Sequence, residues 1–276
     1  MQRIAIIGAG WLGQPLIQHL KQQNYYVCAS RTNLSGVEQL HTQGVDGFVC
    51  QLPEASRLAE ELLTFRCDAL IGCFPPGFRK GQGSDYHTSW QALVHAAQQA
   101  GIRKIIMISS TSVYPDQAQI MREEDASLVK CEQNPMFSEK AKIMLCAEQA
   151  VIDSSIEYAI LRCSGLIGPN RHPARFAARL SQVSDKAPAN MVHQYDVLQA
   201  ITFALTEMSN QIVNVTTPTT VNKAEFYRAA LSAVQSSHPL PPIVHLPDKR
   251  IVSDKLITMG FHFHYANTLE ALHGYE

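Results

Sequence analysis

The chain has 276 residues, 46% hydrophobic and 17% charged, which is enough for one large α/β domain with a lobe attached and too balanced for a disordered polymer. Its 23 basic and 24 acidic side chains leave a formal charge of −1, so it lacks the field that gathers nucleic acid or anionic membrane nonspecifically. Seven cysteines, at 28, 50, 67, 73, 131, 146 and 163, are odd in number, never form a C-x-x-C pair, and read as reduced core thiols of a cytoplasmic protein.

The first residues, MQRIAIIGAGWLG, are apolar at once and carry glycines where a signal peptide would have its hydrophobic stretch. RIAIIG at 3–8 predicts a buried strand, and Gly8, Gly10 and Gly13 follow it as G-x-G-x-x-G opening a helix over 14–23. That context is the one a dinucleotide fingerprint requires. The first glycine allows a tight turn, the second lets backbone approach a pyrophosphate, the third lets helix pack on strand, and unpaired helix N–H groups face the anion. Trp11 and Leu12 lie between these glycines and belong to the same expected cofactor contact. A glycine-rich turn with no ligand is the bland alternative.

The second strand, 25–30, ends on Ser30-Arg31-Thr32. A site for NAD would place a carboxylate there for the ribose 2′-hydroxyl, whereas a serine hydroxyl and a guanidinium suit a 2′-phosphate, so NADP is expected over NAD. A solvated surface arginine is the competing reading. Further strands are predicted at 47–50, 69–74, 104–109, 158–162 and 212–216, with helices at 35–43, 55–63, 84–100 and 138–153 between them. Strand and helix alternating in this way predict an α/β, doubly wound parallel sheet, the Rossmann arrangement, with helices on both faces. After Arg162 the alternation loosens into GLIGPNRHP, short helices at 174–183 and 222–236, and a proline-stiffened HPLPPIVHLP. The boundary is therefore expected near 165, with 1–165 binding the nucleotide and 166–276 forming a small substrate lobe partly interleaved with the last strand. His262 and His264 alternate as in a strand but have no third ligand at suitable spacing, so no metal is expected.

The fingerprint is followed in order by CFPPG at 73–77, SSTSVYPD at 109–116, LRCSGLIGPNRHP at 161–173, NMVHQYD at 190–196 and KLITMGFHFHY at 255–265. Together these resemble the extended short-chain dehydrogenase/reductases of the NAD-dependent epimerase/dehydratase kind, and CFPPG with GLIGPNRHPARF looks most like the YeeZ-like atypical branch of that family. The resemblance implies that Pro75 and Ser109 border the cofactor and that Ser110 falls on the catalytic serine position. It also implies a helix with Tyr-x-x-x-Lys, the phenol moving the proton and the lysine lowering its pKa. Here 138–153 holds no tyrosine. Matching the family's following glutamate to Glu148 puts Met144 at the lysine and Lys140 at the tyrosine.

Ser110 and Tyr114 are then the candidates for catalysis, although a tyrosine closing a strand is also a packed ring with its hydroxyl satisfied. The resemblance places Arg171, Asn190 and His193 toward the substrate. A loop arginine in solvent and a histidine fixed by Asp196 remain the plainer readings of two of them. Only eighteen residues separate Arg171 from Asn190, which favours a small polar substrate over a whole nucleotide sugar. Two functions stay open: an NADP-dependent oxidoreductase or epimerase-like enzyme with a non-standard site, or a non-catalytic NADP(H) sensor. Either is expected as a monomer or homodimer, with 84–100 and 138–153 the helices on which such folds pair.

Overall fold

The computed structural model describes residues 2–78, 81 and 83–273. The chain begins β1 (Arg3–Ile7), α1 (Gly13–Gln22), β2 (Tyr26–Arg31), α2 (Leu34–Thr42), β3 (Asp46–Val49), α3 (Leu58–Thr64), β4 (Ala69–Gly72), α4 (Asp85–Gln99) and β5 (Lys104–Ser110). It continues through β6 (Ile120–Met121), α5 (Leu128–Gln133), α6 (Glu139–Ile152), β7 (Glu157–Cys163), β8 (Gly165–Ile167), α7 (Ala174–Ala177), β9 (Val183–Ser184) and β10 (Met191–His193). It closes with α8 (Gln194–Glu207), β11 (Gln211–Val215), α9 (Lys223–Ala233), β12 (Ile243–Val244), β13 (Arg250–Ile251) and α10 (Asp254–Thr258). All seven strands expected from the apolar runs form one parallel sheet, ordered β11-β7-β5-β4-β1-β2-β3. Its central strands are apolar on both faces because both are covered: Ile4, Ala5 and Ile6 of β1 and Ala69, Leu70 and Ile71 of β4 are wholly buried. The order reverses between β1 and β4, the switch point at which sheets of this kind open a crevice at the strands' carboxyl ends.

The chain divides into two compact units, but not at a single point near 165. One unit comprises Met1–Val113, Glu139–Leu161 and Ile201–Ile212; the other comprises Tyr114–Ser138, Arg162–Ala200 and Val213–Glu276. In the second unit β6 pairs with β13, β8 with β10 and β9 with β12, each in parallel, and a core of Ile167, Ala177, Ala189, Phe226 and Leu272 is buried. A segment such as 114–138 has too few apolar residues to form a core alone, and its strand finds its partner some 130 residues later. Sequence order therefore does not delimit the units.

Two local expectations change, and one helix is new. The helix expected over 174–183 stops at Ala177, because Val183 is drawn into pairing with Ile243. His262 and His264 lie in irregular chain, where the N–H groups of His264 and Tyr265 go to the Asp196 carboxylate instead of a strand ladder. Gln194–Glu207, for which no element was expected, is a fourteen-residue helix. Among the described residues no helix is long and apolar enough to cross a membrane.

Candidate functional site

The dinucleotide loop is built by contacts that only glycine permits. Gly8 has a φ of +96°, and a Cβ there would stand 3.1 Å from the backbone nitrogen of Phe74 in the segment after β4. A Cβ on Gly13 would lie 2.4 Å from the Gly8 carbonyl oxygen, so any larger residue would push α1 off the loop. Gly10 differs: it is exposed, and a Cβ would meet nothing within 4 Å. The space above it is open on the side where a pyrophosphate would lie, which is the fit the fingerprint requires. Leu12, the residue before α1, is buried, whereas Trp11 is half-buried and Pro75 is exposed.

Ser30 and Arg31 have separate places. Ser30 is only 2% exposed, and its Oγ accepts the Gly8 N–H at 3.0 Å while its carbonyl accepts from Ala9 at 3.1 Å. The serine expected to reach a 2′-phosphate is thus turned beneath the loop, because the tight turn leaves the Gly8 donor inward and in need of an acceptor. Arg31 is half-buried at the end of the strand. Its Nη2 donates to Gln14 Oε1 at 2.6 Å, whereas its Nε is buried and has no partner. Gly36 makes room for the stem, since a Cβ there would lie 2.9 Å from the arginine's own Cβ. Sequence reading missed Gln14 and Gly36; the only available signal was their spacing after the fingerprint and after Arg31.

At the end of β5, Ser109 is buried and its Oγ donates to Glu148 Oε1 at 2.5 Å. This bond fixes the register of α6: Lys140, Met144 and Glu148 are four residues apart and share one helix face. Met144 is buried, and exposed Lys140 holds its Nζ 5.9 Å from the Phe78 ring centroid. Ser110 is half-buried, its Oγ accepting the Ser112 N–H at 3.2 Å.

The second unit corrects several expectations. Tyr114 is 1% exposed, donates to Asn214 Oδ1 at 2.7 Å and accepts from Arg162 at 3.3 Å. Burial pushes its phenol up to about 12 against the opposing pull of Arg162, so it is a packed tyrosine whose hydroxyl is already engaged. Asn190 spends its amide on the chain around β13, donating to Lys249 O and accepting from Ile251 N. His193 is 3% exposed, accepts the Tyr195 N–H at Nδ1 and packs edge-on against Tyr265. Its expected anchor, Asp196, is committed to the 264–265 backbone, and burial raises its carboxyl above the ordinary value. Arg171 is half-buried on the turn closed by its own N–H to Gly168 O. A cavity of about 380 Å³ in this unit is lined by Lys186, Asp248, Arg250, Thr220 and Asn222 among others, and by none of the residues expected at the substrate.

This geometry accords with the relatives. Residues 4–216 match the NAD dependent epimerase/dehydratase family. The chain is 32% identical over 231 residues, 82% of each chain, to Protein YeeZ of Escherichia coli K12. It resembles the Bordetella bronchiseptica enzyme WbmH in complex with NAD+ at a TM-score of 0.78 and 18% identity, covering 100% of this chain and 97% of that one. It likewise resembles the dTDP-glucose 4,6-dehydratase of Bacillus anthracis in complex with NAD at a TM-score of 0.77 and 13% identity, covering 99% and 95%. A match reaching from the first strand of the sheet to the last makes this chain a member of the NAD-dependent epimerase/dehydratase family.

Proposed function

We propose that the protein is a cytoplasmic, NADP-preferring oxidoreductase or epimerase-like enzyme of the atypical short-chain kind, acting on a small polar substrate. Arg31 carries this reading: at the end of β2, where a carboxylate would select NAD, a guanidinium is held by Gln14 with its buried Nε lacking a partner. A bound nicotinamide would supply hydride transfer. The chain's own part is to receive the pyrophosphate over Gly10, to pair Arg31 with a 2′-phosphate, and to present Ser110 from β5. With Tyr114 and His193 buried, Ser110 or water is the remaining proton source among the groups considered.

Charge-assisted contacts to the phosphate should contribute roughly 1.5–3 kcal/mol, about tenfold to a hundredfold in affinity. Calorimetry should therefore find NADPH bound tighter than NADH, and Arg31→Glu should erase or reverse the preference. Equal affinity of the unmodified protein for both would defeat the reading.

A second reading, a non-catalytic NADP(H) sensor, is favoured by buried Met144 and exposed Lys140 on the face where the family's lysine and tyrosine would stand. Following NADPH absorbance against panels of aldehydes, ketones and sugar phosphates separates the two. A sensor binds one equivalent and consumes none.

A further inference from the structure

Two of the seven thiols meet. Cys28, in the middle of β2, and Cys67, two residues before β4, have their sulfurs 3.5 Å apart, one S–H donating to the other. Cys28 is wholly buried and Cys67 is 7% exposed, so only one of the pair borders solvent. Their surroundings are unequal. The hydrogen bond between the two and the charge of Arg3 draw the Cys67 thiol down, while the same hydrogen bond and burial push Cys28 up. Arg3 is held nearby, donating from Nε to Phe65 O at 2.6 Å with its guanidinium over the Tyr26 ring. Cys50 and Cys163, by contrast, are pushed up by burial to about 11 and about 12, as inert core thiols are.

We propose that Cys28 and Cys67 are a peroxide-oxidisable pair that closes to an intramolecular disulfide and thereby weakens dinucleotide binding. The Cys67 thiolate attacks a hydroperoxide oxygen; the S–O bond forms, the O–O bond breaks, and the leaving alkoxide or hydroxide takes up a proton. The Cys28 sulfur then attacks the Cys67 sulfenic acid, the S–O bond breaks, and water leaves with the Cys28 proton. Two thiols are oxidised, one peroxide is reduced, and the products are a disulfide, water and the alcohol or a second water. The sulfurs must close from 3.5 Å to roughly 2.05 Å, which draws on the middle of β2. Two residues along that strand, Ser30 receives the Gly8 N–H, so the pull reaches the glycine turn.

The affinity half of this proposal rests on the dinucleotide reading; the disulfide half does not. The test treats the full-length protein with hydrogen peroxide, alkylates remaining thiols, maps peptides by mass, and titrates NADPH before and after. A Cys28–Cys67 cross-link should form ahead of oxidation at Cys50 and Cys163, NADPH affinity should fall by about threefold or more, and dithiothreitol should reverse both. Cys67→Ser and Cys28→Ala, separately, should remove the peroxide response. Overturning results are oxidation of the other thiols with no Cys28–Cys67 cross-link, or a cross-linked protein of unchanged affinity. Reduced protein that fails to bind NADPH would defeat the cofactor reading, and the cross-link map would still decide the thiol chemistry.

Discussion

Gly10 separates binding from folding more cleanly than any other position in the loop. Since a Cβ there meets nothing within 4 Å among the described residues, Gly10→Val should leave thermal unfolding near that of the parent while NADPH binding, read by calorimetry, is lost. Undiminished titration would place the nucleotide elsewhere. Tyr114 behaves in the opposite sense. Tyr114→Phe leaves the Asn214 oxygen without its donor in a buried setting, which should cost about 1–3 kcal/mol in urea unfolding with NADPH affinity unchanged. The glycines were legible in the sequence because a tight turn is a local demand. For Tyr114 the packed ring could be read but not its partner, and for Asn190 neither could, since the partners lie 100 and about 60 residues away.

On α6, a single face carries both the family's glutamate and its departures. Ser109→Ala removes a donor from buried Glu148 and should destabilise the protein by about 1.5–3 kcal/mol, whereas Lys140→Ala should change stability by under about 0.5 kcal/mol and leave NADPH affinity intact. Urea midpoints of the two variants measured side by side check the contrast; a large loss of single-turnover NADPH oxidation in Lys140→Ala, measured with a turned-over substrate, would make that lysine a working replacement for the phenol. The seven strands could be read in advance because residues covered on both faces form unbroken apolar runs. Two-residue strands such as β6 and β13 carry no such run, and neither they nor α8 were among the expected elements.

For the molecule as a whole, pH acts through groups in both units. Burial lowers His19 and His172 below the ordinary 6.5, so the folded state favours their neutral forms. Their contribution is fully present above 6.5 and is lost as pH falls through the lowered folded values. Asp68, held down by the Arg3 N–H and Arg103, behaves alike further toward acid, while Asp196, raised by burial, contributes below the ordinary carboxylate value and loses that contribution as pH rises. Thermal melts from about pH 7 to about pH 5 should therefore show a falling Tm, and a His19→Gln/His172→Gln double variant should flatten that slope. An unchanged slope would mean the acid sensitivity resides elsewhere.

Lys104, at the foot of β5 and 7% exposed, donates its ammonium to the carbonyls of Leu205 and Met208 and pairs with Glu157 at 2.9 Å. The strand emerges early in synthesis, the carboxylate of Glu157 follows about fifty residues later, and the two carbonyls that take its ammonium arrive only after about a hundred. The nucleotide-binding unit therefore cannot finish folding as the nascent chain passes residue 165. It waits for the ribosome to deliver the carbonyl end of α8, and in the interval Glu157 can answer the ammonium while two of its acceptors are still missing.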